Sequence, residues 1–158
     1  STCGVVPKIY ELASLNLPIT LSVSLHAPFN DLRSEIMPIN KKYPLETLTT
    51  AMTHYIQKTN RRISIEYALI RGKNDSTACA DKLAKLFSGG LYHINLIPVN
   101  NVRERDFKKT EKQHVAAFLK RLVERGLNAT VRRELGSDID AACGQLRKKA
   151  AHIETDIN

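Results

Sequence analysis

The sequence predicts an α/β fold in which parallel strands alternate with helices. Three observations carry that prediction. Segments with strand-like alternation recur four times, helical stripes of period 3.6 stand between them, and 158 residues with 42% hydrophobic content suffice for one packed core but not for two ordinary domains. Helices between successive strands imply right-handed crossovers, with helices covering at least one face of the sheet. Periodicity alone is compatible with strands that curve into an open barrel or lie in a doubly wound sheet.

The elements follow in order. Pro7 suits the opening turn of a first helix, with Ile9, Leu12 and Ala13 on one face. Ile19 to Leu25 alternates as a strand. Pro44 opens a helix with Leu45, Leu48, Met52, Tyr55 and Ile56 on one face, and Arg62 to Ile70 is the next strand. Asp75 or Ser76 caps a helix bearing Leu83, Leu86 and Phe87, which Gly89-Gly90 stops ahead of the strand His93 to Pro98. Thr110 and Gln113 fit a capping box, Val115, Phe118, Leu119, Leu122 and Val123 form a stripe, and Gly126 stands where a C′ glycine belongs. The last strand is Asn128 to Arg133. A first helix with no strand before it suggests a fold cut at the end of an earlier strand, and Ser1 in place of Met suggests a processed chain or an excised piece of a longer one.

Composition narrows the function classes. No segment reads as a signal peptide or a membrane span, so a soluble protein is expected, with no membrane partner. Cys3, Cys79 and Cys143 are odd in number and widely spaced, which argues against a disulfide framework and for a reducing, cytoplasmic setting. No pair has zinc-site spacing and the five histidines do not cluster, so no metal ligands are assigned. The net charge of +8 is spread over short clusters: Lys41-Lys42, Arg61-Arg62, Arg103 to Lys112, Lys120-Arg121, Arg132-Arg133 and Arg147-Lys148-Lys149. Such a field suits a polyanion such as RNA, and it equally suits a solvated surface.

The loops after the strands hold the candidate chemistry, because parallel α/β folds place active groups there. They are Ser24-Leu25-His26-Ala27-Pro28, Arg71 to Asp75, Pro98-Val99-Asn100-Asn101 and the Cys143 loop, with Ser1-Thr2-Cys3-Gly4 after the missing strand. Their hydroxyls, imidazole and amide can bond a polar cofactor, with backbone groups at Leu25 reading an adenine-like edge. Each also has a plainer reading: Ser1 as a helix N-cap, Ser24 as an ordinary strand residue, His26 and Asn100 as turn residues. Glu66 either faces the crevice or pairs with Arg61, Arg62 or a barrel lysine. Cys79 reads as a packing residue and Cys3 as a turn residue. Cys143, between Ala142 and Gly144 in Asp138-Ile139-Asp140-Ala141-Ala142-Cys143-Gly144-Gln145-Leu146, has little apolar surface to pack against and reads as a reactive thiol. In sequence, Asp138 and Asp140 would oppose a thiolate there and Arg132, Arg133 or Arg147 would favour one, so the sequence alone leaves its charge state open.

Taken together, STCGVVPKI at Ser1, SLHAP at Ser24, MPINKKYPLE at Met37, NLIPVN at Asn95 and DIDAACGQL at Asp138 resemble the bacterial RlmN family over residues 1–147, leaving 148–158 as a tail. These are radical S-adenosylmethionine enzymes that methylate carbon 2 of adenine in 23S ribosomal RNA and in some transfer RNAs. The resemblance implies the C-terminal portion of a partial (β/α)6 barrel. It implies S-adenosylmethionine contacts at Ser1, Ser24, Leu25, His26 and Asn100, and a methyl-carrying catalytic cysteine at Cys143. It also implies a 4Fe-4S cluster on a C-x-x-x-C-x-x-C loop upstream of the matched region; no such triplet occurs here, so this chain alone is expected to be inactive. By the same resemblance, one cofactor molecule methylates the thiolate and a second, cleaved at the cluster, gives the radical that activates the methyl group. The resulting carbon radical adds to adenine, and an upstream cysteine then resolves the adduct by forming a disulfide with Cys143. A flavodoxin-like reductant and a monomeric state are further expectations.

Two residues depart from the family pattern: Arg103 stands where many relatives have proline, and Phe29 replaces a polar residue after SLHAP. The nearest alternative is the Cfr-type enzyme, which modifies carbon 8, though IPVNNVRERD is closer to the carbon-2 group. A noncatalytic RNA-binding α/β domain, or a purely structural scaffold, would need the basic surface or the core but not the thiol.

Overall fold

The computed structural model describes residues 1–99 and 110–132. In chain order the elements are α1 (Val6–Leu15), β1 (Leu21–Ser24), α2 (Asn30–Ile36), a 3₁₀ turn (Pro38–Lys41), α3 (Leu45–Thr59), β2 (Ile63–Leu69), α4 (Thr77–Phe87), β3 (Tyr92–Pro98), α5 (Lys112–Glu124) and β4 (Ala129–Val131). All three strand pairings are parallel, and the strands lie side by side in sequence order.

That order decides between the two architectures left open by periodicity. Each right-handed crossover steps the sheet in the same direction, so every connecting helix falls on the same side. The stripes of α1, α3, α4 and α5 accordingly share one core with Leu21, Val23, Ile63, Ile65, Tyr67, Leu69, Ile94 and Leu96. A doubly wound sheet reverses at a switch point, and the described strands contain no reversal. The arrangement is a segment of an α/β barrel.

Alternation along the strands then fixes the character of the other face. β2 reads buried at Ile63, Ile65, Tyr67 and Leu69 and half-buried at Ser64, Glu66 and Ala68. Register aligns these positions across the sheet: Ser24 beside Glu66, Glu66 beside Asn95, Asn95 beside the exposed Thr130, with Ser22, Ser64 and His93 forming a second row. The helix-free face is therefore polar.

Several boundaries differ from those predicted. β1 begins at Leu21 rather than Ile19, because the Ile19 amide turns back to the Leu17 carbonyl at 2.8 Å and leaves Ile19 exposed. The segment between β1 and α3 contains α2 and the 3₁₀ turn, which no periodic stripe announced. The capping box at α5 does not form. Glu111 occupies the N-cap position without a side-chain bond, and the buried Thr110 hydroxyl faces the Leu69 carbonyl and Asp75 Oδ2, each at 3.4 Å. At α4 the predicted cap does form, with Ser76 Oγ accepting from the Cys79 amide at 3.3 Å. Among the described residues no helix is long and apolar enough to cross a membrane.

Candidate functional site

Two loop segments meet at the carboxyl end of β1. Thr2 pairs with Val23 as a parallel bridge: its amide donates to the Ser22 carbonyl and its carbonyl accepts from the Ser24 amide, both at 2.9 Å. Ser1, exposed, lies one residue before this bridge. It does not cap α1. Val5 holds the N-cap position, and it is the Thr2 hydroxyl that accepts from the Gly4 and Val5 amides, at 3.1 and 3.4 Å.

Beyond Ser24 the strand path is broken at His26. Its φ of +57° is left-handed; the other two described non-glycine residues with positive φ, Asn16 and Asn60, are helix C-caps, where that conformation is ordinary. The His26 backbone swings away from β2, and the imidazole takes its place in the ladder: Nδ1 accepts from the Ala68 amide at 3.0 Å. A ring that accepts at Nδ1 carries its proton on Nε2. Burial, with a smaller contribution from the Arg33 cation, lowers the His26 pKa from 6.5 to about 4, so the ring is neutral at neutral pH.

Asn74 holds this turn from the β2 side. Its Nδ2 donates to the His26 carbonyl at 2.7 Å and the Ala68 carbonyl at 2.6 Å, and its Oδ1 accepts from the Ile70 amide at 2.7 Å. The Tyr67 hydroxyl donates to the Asn74 carbonyl at 2.8 Å. Neither of these residues was singled out from sequence, since an asparagine in a loop is most often just a turn residue.

Leu25 is fully buried, and its backbone is already engaged: the amide donates to the Glu66 carbonyl at 3.0 Å, and the carbonyl accepts from the Ala27 amide at 2.8 Å and from Arg33 Nε at 3.1 Å. The expectation that these groups read an adenine edge therefore meets a donor and an acceptor that already have partners within the chain. Arg33, in α2, is itself fully buried. A charged residue in a polar stretch reads from sequence as solvated surface.

On the helix-free face, Glu66 accepts from Asn95 Nδ2 at 3.0 Å and from the Ser64 hydroxyl at 3.3 Å. Among the described residues Glu66 makes no ion pair, and its carboxylate lies on the helix-free face. Asn95 could have been found from the alternation that buries Ile94 and Leu96. His93 lies alongside, its Nε2 3.1 Å from the Thr130 hydroxyl; burial first and the Arg62 cation second lower its pKa. A cleft of about 400 Å³ elsewhere, between α1 and Leu21, is lined by Ile9, Leu12 and Leu15 and lies on the helix side. Ser1 and Thr2 border it, but the Ser24–His26 turn does not.

Cys79 is buried, as a packing residue should be, and Cys3 is exposed in its turn. Asn100, Arg103, Asp138, Cys143 and the tail 148–158 lie outside the described residues. Among the described residues no group of three His, Cys, Asp or Glu could hold a metal ion, so they do not supply a cluster site. They do fit a polar nucleoside or amino-acid cofactor. Ser24, with its hydroxyl, and His26, with its Nε2–H, lie two residues apart at the carboxyl end of β1 on a backbone fixed by hydrogen bonds, with the local strain at His26 of the kind that concentrates at ligand sites.

No family model matches the chain. It is 54% identical over 149 residues to a protein of Lachnospira eligens named "Probable dual-specificity RNA methyltransferase RlmN", covering 94% of this chain and 43% of the relative. A relative of the same name from Bacillus pumilus is 53% identical over 155 residues, with 98% and 43% covered. Among solved structures, a radical SAM methyltransferase from Sphaerobacter thermophilus is 46% identical with a TM-score of 0.86, over 91% of this chain and 42% of that one. A domain of a pyruvate-formate lyase-activating enzyme from Bacteroides vulgatus shares the fold at a TM-score of 0.64 and 15% identity. The chain thus spans less than half the length of the curated relatives it matches.

Proposed function

The chain belongs to the RlmN family, matching its members over nearly all of its own length, and from that premise we propose that it forms part of a radical S-adenosylmethionine RNA methyltransferase. In this reading the enzyme acts on carbon 2 of adenine in 23S ribosomal RNA and in transfer RNA. The observation that carries the reading onto this chain is the Ser24–His26 turn. It lies within the SLHAP motif, at the end of a barrel strand, and is held in a left-handed conformation by contacts on both sides.

S-adenosylmethionine, when bound, would supply both the methyl group and, at a 4Fe-4S cluster whose ligands the described residues do not include, the radical. The chain's own residues bind and orient. Ser1 and Ser24 offer hydroxyls, His26 offers Nε2–H, and Asn100 offers an amide. Leu25, engaged through its backbone, serves by fixing the turn rather than by reading the base. Neutrality at His26 matters, because an imidazolium would place a second cation beside the sulfonium of the cofactor. Cys143 is the residue proposed to carry the methyl group. Carbon 2 of adenine is electron-poor and bears no acidic proton, which excludes simple displacement by a nucleophilic ring carbon and gives the carrier thiol its purpose. The basic clusters would hold phosphates while the base is presented, unstacked, to the site.

The test is Cys143→Ala in the longest natural polypeptide that contains this sequence, assayed for RNA methylation and RNA binding. Lost methylation with unchanged RNA affinity is the expected result. Retained methylation overturns the carrier role. Retained RNA binding with no methylation by the unaltered protein would favour the noncatalytic alternative.

A further inference from the structure

Arg33 is fully buried, and no carboxylate among the described residues lies within ion-pair distance of it. Its donors are spent on neutral oxygens: Nε on the Leu25 carbonyl at 3.1 Å, Nη2 on the Ser24 carbonyl at 3.2 Å and the Cys3 carbonyl at 2.8 Å, and Nη1 on Asn40 Oδ1 at 3.0 Å. Three of these oxygens belong to the two segments that flank the proposed cofactor site. With no anion beside it among the described residues, this buried cation is retained against a desolvation cost that an apolar side chain of similar volume would avoid. Filling space therefore does not account for it. What an apolar residue could not do is hold carbonyls from two separate stretches of chain.

We propose that Arg33 is a positioning residue for the cofactor site, its guanidinium fixing Ser1–Gly4 and Ser24–Ala27 in a single mutual arrangement. The planar fork suits this task, since donors diverging from one rigid group reach both segments at once, as a lysine ammonium on a flexible stem cannot. Its surroundings hold the fork in turn. Asn40 Nδ2 donates to the Asn30 carbonyl at 3.0 Å and to Ser34 Oγ at 2.9 Å, which turns Oδ1 towards Arg33. Gly4 lets the first segment approach: with φ at +105°, a Cβ there would lie 3.3 Å from Arg33 Nη2 and 3.2 Å from the Leu48 methyl groups. The proposal rests on the reading of these segments as S-adenosylmethionine contacts.

The test uses the longest natural polypeptide containing this sequence, loaded with its cluster, and compares Arg33→Lys with Leu83→Ala, a core truncation between α4 and the sheet. Arg33→Lys is expected to raise the KM for S-adenosylmethionine roughly tenfold, through lost preorganisation, while the KM for RNA stays within about twofold. Leu83→Ala should lower Tm without moving the cofactor KM. If Arg33→Lys does not fold, Asn40→Ala, which frees only the outer arm of the fork, should still raise the cofactor KM selectively. A cofactor KM unchanged in the folded Arg33 variant, or in Asn40→Ala where that variant alone folds, overturns the proposal, as does an equal rise in Leu83→Ala. Wild-type protein that binds no S-adenosylmethionine would instead remove the reading of the site, and the inference with it.

Discussion

His26 does two things with one side chain: Nδ1 accepts from the Ala68 amide of β2, and Nε2–H has no acceptor among the described residues. The first has a measurable pH signature. Its folded-state pKa of about 4 lies below the 6.5 of a free imidazole, so as pH falls the unfolded chain takes up the proton first. The stability that neutral His26 contributes should be complete above about pH 6.5 and decline towards pH 4, by on the order of 1–3 kcal/mol. Denaturant unfolding of wild type and His26→Asn, an exchange that keeps a residue tolerant of positive φ, should show this slope in the wild type and a flatter one in the variant. Asn74→Ala is the companion test. It removes two donors and one acceptor at a buried position, so a loss of about 2–4 kcal/mol is expected in the same unfolding experiment. His26 and Ser24 were visible in the sequence as motif residues, but Arg33 and Asn74 were not. Their importance comes from burial and from partners distant in the chain, and no residue type announces either.

Elements were legible where local chemistry governs them. Alternation located β2 and β3 to within a residue or so, and Ser76 is the N-cap its sequence suggests. α2 escaped notice because its one fully buried side chain is an arginine, so it shows no apolar stripe. Phe29, at the α2 N-cap position, makes no side-chain bond to that helix's amides. The capping box failed because tertiary partners claimed Thr110: a hydroxyl facing Leu69 and Asp75 is not available to its own helix. Paired substitutions check this. Ser76→Ala should lower stability by about 1 kcal/mol, whereas Gln113→Ala should stay within about 0.5 kcal/mol of wild type in thermal unfolding. An equal loss at both positions would mean that the box forms after all.

At the scale of the molecule, a monotonic strand order puts the described crossover helices on one side and a polar sheet face on the other, so the helix-free face and the strand ends offer the polar surface that a site needs. Parallel α/β class could be read from the alternation of patterns; the choice of barrel could not, because strand order is a property of the whole sheet. The central claim is that this scaffold serves an adenine carbon-2 methyltransferase. Mass spectrometry of nucleosides from ribosomal RNA, in cells lacking the gene and in cells given it back, tests that claim most directly. The account predicts that 2-methyladenosine disappears and returns with the gene, and 8-methyladenosine in its place, or no methyl change on adenine, would contradict it.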